Sequence, residues 1–130
     1  MDILSNMLIQ IKNAGYASHN VVVLPYSKFK HSIATCLVSA GYVKSASKKT
    51  GKGDKDVLEI ELIKQENGTP RISDIKRISK SSVRVYAGAK DLRPTRNGFG
   101  TKVLSTPKGI LVDKDAKKEL VGGEVLFEIW

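Results

Sequence analysis

Between Gln65 and Pro70 the chain reads Gln-Glu-Asn-Gly-Thr-Pro, and its texture differs on the two sides of that stretch. Asn-Gly turns tightly, and a proline just after it can donate to neither a helix nor a sheet ladder. Upstream, apolar residues recur twice at helical spacing. Downstream, they come in short β-rich pieces separated by turns. No regular element passes through such a stop, so the hexapeptide predicts two small domains, residues 1–65 and 66–130.

Ile3, Leu4, Met7, Leu8 and Ile11 have the spacing of one helical face, with Asp2 able to cap its start and Ala14-Gly15 able to end it. Val21–Leu24 reads as a buried strand closed by Pro25. Ser27 is placed to cap a second helix whose face is Phe29, Ile33, Cys36, Leu37 and Ala40, ending at Gly41. A hairpin follows, with arms near Tyr42–Ala46 and Val57–Ile63 and the basic turn SKKTGKGDKD between them. The order α-β-α-β-β closes as a layered α+β unit.

The second half predicts strands at Ile72–Ile78, Val83–Tyr86, Thr101–Leu104, Ile110–Val112 and Val125–Ile129, with one short helix at Asp113–Leu120 that Asp113 can cap. That is a mainly antiparallel β domain. The fold class expected for the whole chain is α+β in two small domains.

Charge separates the halves further. The 130 residues carry 22 Lys and Arg against 13 Asp and Glu, a formal +9. Residues 71–108 hold ten basic residues against only Asp74 and Asp91, so nearly all the excess lies in this segment. A concentrated positive field attracts polyanions, which makes nucleic acid the expected partner.

Other chemistry is missing. His19 and His31 have no acidic or cysteine partner at ligand spacing, so no metal is expected. His31 reads as a solvent-facing helix residue and the single cysteine, Cys36, as a small core residue in a protein of a reducing compartment. The glycines complete neither a P-loop nor a dinucleotide fingerprint, and Ser105 lacks the G-x-S-x-G elbow. No acid–base pair or activated nucleophile emerges, so neither an enzyme nor a small-molecule cofactor is expected. The apolar runs, such as Val21–Leu24, are far too short to cross a bilayer. The start, MDILSNMLIQ, lacks a basic leader, so a cytoplasmic protein with no membrane partner is expected.

What remains fits RNA. In RVYAGAKDLRPTRNGFGTK, lysines and arginines can neutralise phosphates while Tyr86 can pack on a sugar or base. In STPKG, residues 105–109, hydroxyls and amides of a tight turn can meet base edges, sugars and phosphates. Gly122-Gly123 leaves room for another backbone, and Glu124 can accept from a base amino group or brace the hydroxyl loop. KH and RRM signatures fail, and aromatic residues make up only 6%, too few for a stacking platform along a single strand. Structured RNA with a few irregular bases suits these residues better.

The segments DILSNMLIQIKNAG, VVLPYSKFKHSIATCL, DIKRISKSSVRVY and LSTPKGILVDKDAKKELVGGEVLFEIW resemble the family of bacterial-type small-subunit (30S) ribosomal protein number eight. The resemblance implies a two-domain, ribosome-bound primary binder of the central domain of small-subunit ribosomal RNA, docking on an irregular, bulged helix and organising assembly among neighbouring small-subunit proteins. It assigns base and sugar contacts to Ser105, Thr106, Pro107, Lys108 and Gly109. Gly122, Gly123 and Glu124 would line the same surface, and Tyr86 and Lys90 would meet the adjacent backbone. Asp2, Ser5, Lys28 and Lys30 of the first domain would form a second contact. It also implies an alternative role, repression of translation by binding the messenger RNA of its own operon at a mimic of the ribosomal site. Two positions depart from the family pattern. Pro107 stands where a third hydroxyl is usual, and Ser81-Ser82 where Pro-Gly is usual.

Overall fold

In the computed structural model the described residues are 3–17, 20–51, 53, 55–64, 71–80, 82–92 and 100–130. They divide into two compact units, Ile3–Ile72 and Ser73–Trp130. The hexapeptide 65–70, expected as the divide, lies outside the described residues, as do Asp2 and His19.

The first unit runs α1 (Ile3–Tyr16), β1 (Val21–Pro25), α2 (Lys28–Ser39), β2 (Val43–Thr50) and β3 (Asp56–Leu62). This is the expected α-β-α-β-β order. The strands form an antiparallel sheet in the order β1-β3-β2. Its core is made by Leu4, Met7, Leu8 and Ile11 of α1, Ile33, Ala34, Cys36 and Leu37 of α2, and Val22, Leu24, Leu58 and Ile60 of the sheet.

Several boundaries differ from expectation. β1 is not a fully buried strand: Val22 and Leu24 are buried while Val21 and Val23 face solvent, because an antiparallel sheet can be covered on one face only. Ile3 and Phe29 lie on the predicted apolar stripes but in the first turns of their helices, and both are exposed. Helix α1 continues through Ala14-Gly15 to Tyr16. His31 is half-buried, its ring edge-on to Tyr26 at 5.6 Å.

Helix α2 is closed at both ends as its residues require. Ser27, extended at φ −150°, accepts a bond from the Lys30 amide at 3.2 Å. At the other end Gly41 takes φ +84°, Gly41 N–H donates to Val38 O, and Tyr42 N–H donates to Leu37 O. This is the Schellman arrangement, with buried Tyr42 as its apolar plug. The hairpin arm β2 runs four residues into the expected turn, because Lys44, Lys48 and Lys49 pair with Glu61, Asp56 and Glu59 of β3 at 3.0–3.4 Å. Opposite charges across a ladder favour a strand that lysine alone would not.

The second unit comprises β4 (Ile75–Arg77), β5 (Tyr86–Ala87), β6 (Thr101–Thr106), β7 (Gly109–Val112), α3 (Asp113–Lys118) and β8 (Gly123–Ile129). β8 is the spine. It pairs antiparallel with β4 and β5 along one edge and with β6 along the other, and β6 pairs in turn with β7. On one face Leu104 and Val125 form a core with Leu92 and with Ala116 of α3, flanked by Ile78, Ala87, Leu111 and Val121.

The first two expected strands of this half shrink, to Ile75–Arg77 and to Tyr86–Ala87, while the three others extend. Helix α3 stops at Lys118 rather than Leu120, and Val112, not Asp113, is its N-cap. Asp113 is the first helical residue, and its carboxylate accepts from the Lys114 amide at 2.9 Å.

Candidate nucleic-acid interface

β8 carries Glu124 near its start, and the ladder fixes what stands beside it. Tyr86 of β5 is directly opposite Glu124 on one side, Ser105 of β6 is opposite it on the other, and Ile110 of β7 is opposite Ser105. Residues directly opposite in a sheet point to the same face, so Tyr86, Glu124, Ser105 and Ile110 form one cross-strand row. The neighbouring positions Ala87, Leu104 and Val125 turn to the other face, into the core. One layer of backbone thus separates the core from the row.

The row is open. Tyr86 is 70% exposed, the most accessible aromatic side chain among the described residues. Ser105 Oγ has no hydrogen-bond partner among the described residues. The Glu124 carboxylate is only 19% exposed, and its Oε2 accepts from Arg84 Nη1 at 3.0 Å.

Gly122 and Gly123 explain how the strands come together here. A Cβ on Gly122 would collide with the Ala87 carbonyl oxygen and lie 2.6 Å from Gly88 Cα. A Cβ on Gly123 would collide with the Ser105 carbonyl oxygen and lie 2.9 Å from its carbon. Real Cβ atoms do not come so close. The Gly-Gly pair therefore makes room for a backbone, and that backbone is the protein's own, on both sides. Gly123 is the first residue of the strand rather than part of a turn before it.

Beside the row, Thr106-Pro107-Lys108-Gly109 closes the β6–β7 hairpin, with Thr106 opposite Gly109. Gly109 has φ +109°, and Lys108 is not among the residues with positive φ. That combination fits a type I corner followed by a glycine bulge, in which proline is favoured at the first corner position. Thr106 Oγ1 donates to Gly109 O at 2.8 Å and accepts from Lys108 N–H at 3.2 Å. The hydroxyl thus serves the turn. Lys108 Nζ meets Glu119 Oε2 at 3.1 Å, which ties the loop to the end of α3.

Lys90 stands exposed in a short 3-10 turn, Ala89–Asp91, held down by buried Leu92. The second unit thus gathers Tyr86, Ser105, Thr106, Pro107, Lys108, Gly109, Gly122, Gly123 and Glu124 on adjoining strands and their hairpin, with Lys90 just beyond β5. In the first unit, Ser5 is half-buried on α1, Lys28 is exposed, and Lys30 Nζ donates to Pro25 O at 3.0 Å. Among the described residues no three His, Cys, Asp or Glu side chains gather as a metal site would need, and no helix is long and apolar enough to cross a membrane.

Two residues of this region play parts that the sequence does not give: Arg84, there one basic residue among several, and Ser79. Arg84 alternates with Tyr86 along an extended segment, a period-two signal that could have placed both on one face. Ser79 gives no signal at all. It is fully buried, its hydroxyl accepts from Val85 N–H at 2.9 Å and lies 3.2 Å from Val85 O, and its own amide donates to Val125 O. Because Val85 O in turn accepts from Val125 N–H at 2.8 Å, β4 and β5 behave as one edge strand along β8. Lys80 and Val83 exchange backbone hydrogen bonds beside that edge, and Ser79 closes the base of this link.

Comparison with known proteins gives a family match over nearly the whole chain. The family described as "Ribosomal protein S8" matches residues 2–130. The "Small ribosomal subunit protein uS8" of Mycoplasmopsis agalactiae is 43% identical over 129 residues, covering 99% of this chain and 97% of that one. The proteins of the same name from Ruminiclostridium cellulolyticum and Persephonella marina are 44% and 41% identical, each over 99% of this chain and at least 97% of their own length. The chain belongs to the ribosomal protein S8 family.

Proposed function

We propose that this chain is a structural, non-enzymatic component of the small ribosomal subunit, and that its second unit, Ser73–Trp130, binds an irregular, bulged helix in the central domain of the ribosomal RNA. The observation that carries this reading is the cross-strand row Tyr86–Glu124–Ser105. It offers a flat ring for stacking, a largely sunk carboxylate acceptor and a hydroxyl with no partner among the described residues, next to the basic segment 71–108. A regular A-form duplex keeps its major-groove base edges out of side-chain reach and shows a shallow minor groove of 2′-hydroxyls and base edges that carries little sequence information, whereas a bulged core splays bases outward. Phosphate contacts from Lys90 and its basic neighbours would add sequence-independent affinity.

The Pro107 departure is compatible with this role. The corner it occupies uses no backbone N–H at that position, so the turn keeps its shape, and the lost hydroxyl leaves Ser105 as the open one. The first unit contributes a separate contact through Asp2, Ser5, Lys28 and Lys30. Neighbouring small-subunit proteins are the expected protein partners.

The test is binding to a fragment of the central domain against a regular RNA duplex of equal length, in moderate salt. The fragment should bind at least about tenfold more tightly, the value of one good directed contact. Equal affinity for the two RNAs would remove the proposal.

A further inference from the structure

A carboxylate at the centre of an RNA-reading row needs an explanation, because phosphates repel it. The structure supplies one in Arg84, which the sequence marks only as one of the basic residues of the segment 71–108. Arg84 is half exposed, with its side chain at 51%, whereas Glu124 is largely sunk at 19%, and Nη1 and Oε2 are 3.0 Å apart. Arg84 does not reach Glu124 by chance of a flexible loop. The amide and carbonyl of the next residue, Val85, are both held by Ser79 Oγ, and Val85 O is held by Val125 N–H. The guanidinium is therefore presented from a pinned backbone to one oxygen of a carboxylate pinned on β8.

We infer that Arg84 is a positioning residue for RNA recognition. It cancels the charge of Glu124 toward the phosphates and holds Oε2, leaving Oε1 turned to a base between Tyr86 and Ser105. A carboxylate oxygen accepts and cannot donate, so the group it selects is a base N–H on a pairing edge, such as the amino groups of cytosine, adenine and guanine or the ring N–H of guanine and uracil. Tyr86 would stack on that base and Ser105 Oγ, which can donate or accept, would take an adjacent polar edge. This inference rests on the RNA-binding reading above, and it adds the chemical class of base edge read at the row and the group that makes reading by an anion possible.

The test is a double-mutant cycle on the full chain, with the central-domain fragment and the regular duplex as the two RNAs. Arg84→Met should weaken binding to the fragment by about tenfold or more, since it leaves an uncompensated carboxylate facing RNA. In the Glu124→Gln background the same Arg84→Met change should cost little, because no charge remains to cancel. The salt slope should be the same for the wild-type chain and the Arg84→Met, Glu124→Gln double variant. If Arg84→Met instead costs the same in both backgrounds and lowers the salt slope by about one, Arg84 is an ordinary phosphate contact and the inference falls. Arg84→Lys should recover part of the loss, since a lysine keeps the charge but not the planar fork. Thermal unfolding of each variant separates lost binding from lost fold. A wild-type chain that fails to prefer the fragment defeats the RNA-binding reading itself, an outcome distinct from any pattern within the cycle.

Discussion

Gly123 has no space for a side chain, since the Ser105 carbonyl already stands where a Cβ would be. Gly123→Ala must push β6 away from β8 and should cost about 1–3 kcal/mol of stability, read from the urea midpoint. The opposite case is Leu120. It sits at φ +58° just past α3, its amide bonded to Lys117 O and the following Val121 amide to Ala116 O, and its side chain is 83% exposed. The position is a Schellman C-cap that favours glycine, as at Gly41 after α2. Leu120→Gly relieves a left-handed conformation worth about 1–2 kcal/mol and gives back about 0.4–1 kcal/mol through the freer unfolded chain. A net gain of about 0.5–1 kcal/mol should appear as a higher urea midpoint with an unchanged slope. Ser105→Ala should leave stability unchanged and weaken binding to the central-domain fragment by about 1–3 kcal/mol, through the loss of an open hydroxyl.

At the scale of the element, the β6–β7 hairpin shows why Ser105 and Thr106 are different kinds of site residue. Thr106 Oγ1 is spent inside the turn. Thr106→Ala should loosen the loop by about 1 kcal/mol and expose its amides to faster hydrogen exchange, whereas Thr106→Ser should keep both bonds and near-normal RNA binding. Helices were the more legible elements, because their stripes and caps are local: Ser27 and Gly41 mark α2 before any fold is known. Strands were legible in place but not in length. Lysines in 44–49 give no β signal until β3 sets carboxylates against them, and the short β4 and β5 become one edge only through Ser79, a contact six residues wide that no periodicity encodes. The candidate site followed the same rule. STPKG and Gly-Gly-Glu stood out as residue types, but their meeting depends on the register Tyr86–Glu124–Ser105, and so the part played by Arg84 could not be read in advance.

At the scale of the molecule, charge is distributed unevenly in a way that bears on binding. In the first unit the lysines of β2 are matched one by one with the acids of β3, while the basic segment of the second unit has few acids near it in sequence. Lys90→Gln should therefore weaken binding to the fragment and to a regular duplex alike and reduce the log–log salt slope by about one. Ser105→Ala should leave that slope where it is. The position of β8 also orders events in time. It is translated after every strand that it joins, so β4, β5 and the β6–β7 hairpin leave the synthesising ribosome without the strand that links them. A nascent chain that has not yet emitted Gly123–Ile129 has neither the sheet nor the row upon it. The order of synthesis thus works as a delay line, in which the row proposed to read RNA comes into being only when its unit is ready to fold.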